Sequence, residues 1–178
     1  MSLKEINEKN RVFNLEVKKV NVLFSGYAVK KIKSLSELKY FFKDRINKYV
    51  KYLEKIQRES NGHELEKKHY IKTVIAGRGK HYGAWGTCED KLIDIHPKLK
   101  KELNKLGTIG KNSELGEKSG CRNQIGKCAE IKVSHRILSK EHRKFSTQIN
   151  DVEFTDAIRP RTLEPVPMCF NCKYVFKK

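Results

Sequence analysis

Residues 128–138 are apolar almost all the way round a helical wheel: Cys128, Ile131, His135 and Leu138 fall on one line and Ala129, Val133 and Ile137 on another. A helix with so little polar surface cannot lie at the edge of a protein. It has to be buried between a sheet and a further layer, which points to a layered fold containing both helix and sheet. A chain of 178 residues can bury roughly 70% of the surface it exposes when unfolded, so such a core needs no disulfide staples. Five cysteines, an odd number, also argue against a closed disulfide framework, and reduced thiols are the working state.

The longest periodic pattern runs from 34 to 60. Ser34 and Glu37 are spaced as a capping box, Leu35, Leu38, Phe42, Ile46, Tyr49, Leu53 and Ile56 recur at helical intervals, and Ser60-Asn61-Gly62 ends the run. The opposite face carries Lys43, Arg45, Lys48, Lys51, Lys55 and Arg58, as a solvated face does, with a nucleic-acid-binding stripe as the alternative. Upstream, Phe13, Leu15 and Val17 alternate and, after a slip at Lys18 and Lys19, so do Val20, Val22 and Phe24, which predicts two short strands or one bulged strand. These features make up an N-terminal region, 1–70, of strand and long basic helix, followed by a second region, 71–178.

Within the second region "IKTVIA" (71–76) predicts a strand running into the glycine-rich "GRGKHYGAWG". That spacing matches neither a Walker loop nor a dinucleotide fingerprint and reads as a loop or hairpin, with Tyr82 and Trp85 in the core or at its rim. A strand is expected over 91–95, and a short helix from Pro97, with Leu99, Leu103 and Leu106 on one face and Gly107 closing it. Residues 107–126, with five glycines and few apolar side chains, are expected to form a mobile surface loop. "NDVEFTDAI" is a strand candidate, and the three prolines of "RPRTLEPVP" preclude continuous pairing after it.

Lys and Arg outnumber Asp and Glu by 39 to 21, a net charge of +18. That surplus favours a polyanionic partner: nucleic acid first, then an anionic membrane surface or an acidic protein. A plain lysine-rich solvated surface is the alternative. No apolar run approaches the ~18 residues of a membrane span, and "MSLKEINEKN" lacks the apolar core of a secretory signal.

The chemistry gathers at the thiols. Cys169 and Cys172, two residues apart at a helix start, can both turn toward one ion, and Cys128, at a second helix start, completes three legs of a tetrahedron. Helix N-termini stabilise thiolates. A fourth position left to water makes such a site catalytic. Because three thiolates leave Zn²⁺ with a net charge near −1, water there is acidified less than among neutral ligands, and a base is useful. Glu130, in the same first turn as Cys128 but pointing away from the ligand direction, can shuttle protons. Two other readings remain: a closed structural site of Cys121, Cys128, Cys169 and Cys172 in a basic nucleic-acid-binding module without catalysis, or a redox C-x-x-C pair. His135 reads as a core histidine and Cys88 as a buried or loop thiol. His96 reads as a helix cap that can also line a pocket. Arg159 and Arg161 read either as contacts to a substrate phosphate or as solvated charges.

The order Cys128-Ala129-Glu130, then Pro167 and Cys169-Phe170-Asn171-Cys172, resembles the cytidine deaminase superfamily, whose zinc sites combine a His or Cys, a non-ligand Glu and a P-C-x-x-C pair. Met168 stands between Pro167 and Cys169 here. More narrowly, "IHPKLKKELNKLG", "GKCAE" and "PVPMCFNC" are similar to YwqJ-like deaminases, bacterial toxin domains at the ends of large exported proteins. Over about 75–178 the resemblance implies a three-layer α/β/α sandwich with a mixed central sheet. It implies Zn²⁺ on Cys128, Cys169 and Cys172, Glu130 as the catalytic residue, and hydrolytic deamination of a nucleobase, by default cytosine, in nucleic acid or a nucleotide. It further implies action in the cytoplasm after delivery within a secreted toxin, and an immunity protein as partner.

Overall fold

The computed structural model describes residues 2–25, 29–60, 62–88 and 94–178. Its first element corrects the sequence reading: 3–25 is not strand but one helix, α1 (Leu3–Ser25). Phe13, Val17 and Phe24 are buried and Val20 half-buried, which is helical spacing, while Leu15 and Val22 of the alternating pattern are exposed. Phe13 and Val17 fit both periods, and Phe24 fits alternation only past the slip at Lys18 and Lys19. What decides between them is the Lys- and Glu-rich, Gly- and Pro-free stretch around them, which holds helix at little cost in side-chain freedom.

After β1 (Lys30–Lys31) comes α2 (Leu35–Glu59), the helix its periodicity predicts, with Leu38, Phe42, Ile46, Tyr49 and Leu53 buried. Ser34 Oγ accepts the Glu37 N–H at 3.1 Å. The return bond to the Glu37 carboxylate comes from the Lys33 N–H, at 2.7 Å, one residue earlier than in a capping box. The buried faces of α1 and α2 share one core with Val74, Ala76 and Trp85 of the following hairpin. Tyr49 ties it together, donating to Asn21 Oδ1 at 2.7 Å and accepting the Ile71 N–H at 2.9 Å.

β2 (Val74–Arg78) and β3 (Tyr82–Thr87) form the hairpin expected of the glycine-rich segment. Two short helices follow, α3 (Pro97–Leu103) and α4 (Glu114–Lys118), then the long α5 (Ala129–Phe145). The chain continues through β4 (Glu153–Phe154), β5 (Ala157–Ile158) and β6 (Pro165–Val166) to α6 (Phe170–Phe176). Among the described residues the sheet order is β1-β3-β2-β5-β6, with β4 also on β2. Every pairing is antiparallel, where a mixed sheet was expected. Consecutive strands are joined by tight turns at β2–β3 and β5–β6, and such hairpins can pair only antiparallel. Of the strand expected over 91–95, residues 91–93 lie outside the described residues. Also among the described residues, no helix is long and apolar enough to cross a membrane.

α5 is buried on two sides, as its all-round apolar pattern requires. Ala129, Val133 and Ile137 pack with Ile75 and Ala84 of the hairpin, while Ile131 and Leu138 share a core with Leu99 and Leu103 of α3 and Val175 and Phe176 of α6. The first turn of α5 sits directly on β3 because residue 86 is glycine. A Cβ there would lie 3.1 Å from both the Ala129 carbonyl oxygen and Val133 Cγ2. At the other end of α5, Glu141 is wholly buried and reaches into the β2–β3 turn. It accepts the N–H groups of Lys80 (2.9 Å), His81 (2.7 Å) and Tyr82 (2.5 Å) and the Thr147 hydroxyl (2.8 Å). Gly79 makes room for it, since a Cβ there would stand 2.2 Å from Glu141 Oε2.

Residues 107–126 are not the loose loop their glycine content suggests. They wrap around α4, with Ser113, Gly116, Cys121 and Ile125 buried. Ser113 Oγ caps α4 at Gly116 N–H, and the Cys121 N–H bonds the Gly116 carbonyl at 2.7 Å.

Glu141→Ala would strand three backbone donors and a hydroxyl inside the protein, at ~1–3 kcal/mol for each unsatisfied group before relaxation. Urea unfolding should show a loss on the order of 3–5 kcal/mol. A loss under about 1 kcal/mol would mean that water replaces the carboxylate and that the turn does not depend on it.

Candidate metal centre

Two helix starts meet here. Cys128 is the residue before α5 (φ −71°, ψ 150°) and Cys169 the residue before α6 (φ −72°, ψ 163°); both are extended and neither side chain bonds back to its own helix. The thiols are thereby left to point outward. Cys128 Sγ lies 3.4 Å from Cys169 Sγ, and Cys172, one turn into α6 and fully buried, brings a third sulfur. All three sulfurs lie within 4.8 Å of one another. A tetrahedral zinc ion with Zn–S bonds of ~2.3 Å requires sulfur separations of ~3.8 Å, so the cluster fits such an ion with only small side-chain adjustments.

Electrostatics within the cluster are uneven. Cys169 is held well below the usual thiol range, chiefly by the Cys128 and Cys172 thiols beside it, against the opposing effect of burial. Cys128 is pushed up, first by its bond to Cys169 and then by burial and the charges of Cys169 and Glu130, although the Cys172 thiol acts the other way. Cys172 is pushed up by its bonds to Cys128 and Cys169 and by burial. The three thiols therefore titrate as one coupled group. Binding a divalent cation through all three sulfurs would displace the protons they still carry.

Glu130 is 7% exposed. Burial raises its pKa most; its own backbone N–H lowers it, the Cys169 charge raises it, and a hydrogen bond from the Cys172 thiol lowers it. The carboxylate is near enough to the cluster for the Cys169 charge to act on it. It stands outside the three-sulfur group. A buried carboxylic acid with a raised pKa, near the thiols but not among them, is equipped to give and take a proton.

The other sequence candidates fall elsewhere. Cys121 is buried but outside the three-sulfur group, so the closed four-sulfur arrangement lacks its fourth member. Cys88 is a half-buried thiol just past β3. His96 caps α3, its Nδ1 accepting the Lys98 N–H at 3.3 Å, and its ring meets His142 edge to face at 4.7 Å. His135 Nδ1 accepts the His96 N–H at 3.1 Å. His135 and His142 follow Cys128 by two and four turns of α5, roughly 10 and 21 Å along its axis. Burial lowers the pKa of both His96 and His135 first; His96 then feels the charges of His142, His135 and Lys98. Arg159 and Arg161 are exposed on the turn between β5 and β6, which leads through Pro167 and Met168 to Cys169.

Two supporting residues escaped the sequence reading. Lys132, buried in the first turns of α5, donates to the carbonyls of Cys88 (3.0 Å) and Lys127 (3.1 Å), fastening the end of β3 to the segment that enters Cys128. Asn171, inside the C-x-x-C, donates to the Asn123 carbonyl at 2.8 Å and so holds the loop before Cys128. A lysine among 39 basic residues gives no sequence signal, but a polar residue between paired ligands does. Compared with known proteins, the chain matches no family model, no curated protein and no solved structure.

The raised pKa of Glu130 fixes the sign of a stability effect. Below the unfolded value, ~4.3, the group is protonated in both states and makes no difference; above the folded value the metal-free fold must bury a charge that the unfolded chain gives to water. Metal-free Glu130→Gln should therefore be more stable than the parent at pH 7–8 in chemical denaturation. The gap should close as the pH falls to about 4. A gap of constant size across that range would show that Glu130 is not held in a charge-disfavouring site.

Proposed function

We propose that Cys128, Cys169 and Cys172 hold one Zn²⁺ ion and that the protein is a zinc-dependent hydrolytic deaminase of a nucleobase, with cytosine in nucleic acid or a nucleotide as the first substrate to test. The observation that carries this reading is the meeting of three thiols, with a buried carboxylic acid two residues from Cys128 and outside the ligand set. It is the arrangement expected of the C-x-E and C-x-x-C motifs, and helices against both faces of the sheet support the three-layer sandwich that goes with them. The closed structural site has less support, because Cys121 stands apart.

When bound, the ion supplies a Lewis acid that polarises and acidifies water. The chain's own contribution is to hold three sulfurs on one side, which leaves the fourth direction to water and substrate, and to set Glu130 beside it. Glu130 takes the proton given up by water, delivers it to the ring nitrogen next to the amino-bearing carbon and then carries a second proton to the leaving amine. One water is consumed and one ammonia released, with no change in oxidation state. Burial helps because it raises the pKa of Glu130, which makes its acid form a better-matched proton donor than that of a solvated carboxylate. The net charge of +18 favours a polymeric nucleic-acid substrate over a free nucleotide, and a base has to leave its stack to reach such a site, so single strands suit it best. As a toxin or effector domain acting in the cytoplasm, it would need an immunity partner.

The test is ammonia release by the zinc-loaded protein from single-stranded DNA and RNA, from duplexes and from nucleotides. Release from at least one of these is expected, with single strands ahead of duplexes. Glu130→Gln should keep one zinc per chain and lose ~10²- to 10⁴-fold in rate. A Glu130→Gln protein as active as the parent, or a zinc-loaded parent that releases no ammonia from any of these substrates, would contradict the proposal.

A further inference from the structure

Cys128 and Cys169 stand immediately before α5 and α6, both on extended backbone, and neither side chain is committed to its own helix. Their sulfurs are 3.4 Å apart, closer than the ~3.8 Å at which two sulfurs share a zinc ion. A disulfide needs ~2.05 Å, a gap that rotation of two side chains without capping bonds can close. Exposure separates the three thiols. Cys128 is 8% exposed and Cys172 wholly buried, while Cys169 is half-buried and is the one a small solute reaches. An accessible thiol with a second sulfur in contact is the arrangement that peroxide-sensitive cysteines share.

We propose that Cys169 is an oxidative modification site: hydrogen peroxide oxidises it, and Cys128 resolves the product into a disulfide that joins the starts of α5 and α6. In the first step the Cys169 sulfur attacks one peroxide oxygen, the O–O bond breaks, and a sulfenic acid forms as one water leaves. In the second the Cys128 sulfur attacks that of Cys169, the S–O bond breaks, and the S–S bond forms as a second water leaves. The two sulfurs together give up two electrons, and the peroxide takes both. This pairing stands on the sulfur positions alone. Its consequence rests on the reading that the three thiols hold a metal ion, because the disulfide removes two of the three ligands and the chain then holds either the ion or the bridge. Metal loading would thereby require reducing surroundings.

The experiment exposes the reduced, metal-free chain to hydrogen peroxide, blocks the remaining thiols by alkylation and maps linked peptides by mass spectrometry. Two of the five thiols should be lost, in one link between Cys128 and Cys169, and both should return with dithiothreitol. Cys172→Ser should form the same link, which a disulfide within the C-x-x-C would not allow, and Cys169→Ser should form none. A Cys169–Cys172 link in the parent, a link through Cys88 or Cys121, or five thiols that survive peroxide would overturn the proposal. The zinc-loaded parent should release one zinc for each link formed, and a link formed with the ion retained would overturn the exclusion of one by the other. A reduced parent that takes up no zinc would contradict the metal reading and leave the mapped bridge standing.

Discussion

The structure depends on the place where the N-terminal ends of α5 and α6 meet. The two helices are joined by a chain that passes through three short strands, yet they bring Cys128 and Cys169 sulfurs to 3.4 Å. Thiols packed this closely are poor at filling space and cannot all ionise together, so an apolar trio would serve the core better. That they converge makes sense if a cation compensates for their charge. The rest of the fold supports the meeting: β3 gives α5 a glycine-smooth seat at Gly86, and α3 and α6 close over Ile131 and Leu138 on its other side.

Buried polar groups do much of the fixing. Glu141 holds the β2–β3 turn through three hydrogen bonds, Lys132 fastens the end of β3 to the segment entering α5, and Asn171 anchors the loop before Cys128. Each bonds backbone groups that have no ladder or helix partner, which makes loops as determinate as strands. The candidate site accordingly rests on irregular segments that are individually pinned. Such a site can be stiff where the sulfurs sit and still leave one side to solvent.

Much of this was legible in the sequence, for identifiable reasons. α2, α5 and the hairpin follow from periodicity and glycine placement, and the three thiols with Glu130 follow from motif spacing. The N-terminal helix was misread because Phe13 and Val17 and, past a one-residue slip, Phe24 fit alternation as well as a period of 3.6, and only burial tells that Leu15 and Val22 face out. Residues 107–126 were misread because glycines suggest freedom, whereas Gly116 is there for close packing against Asn171. Lys132 and Glu141 were invisible because a charged residue on a helix is ordinarily read as solvated.

The central claim is that three sulfurs bind an ion and leave its fourth position to something other than sulfur. X-ray absorption at the zinc edge of the loaded protein reads this directly. The account predicts three sulfurs at about 2.3 Å and one oxygen or nitrogen at about 2.0 Å. Four sulfurs around the ion would contradict it, because a fourth thiolate, from Cys121 or elsewhere, would close the position that water and substrate need.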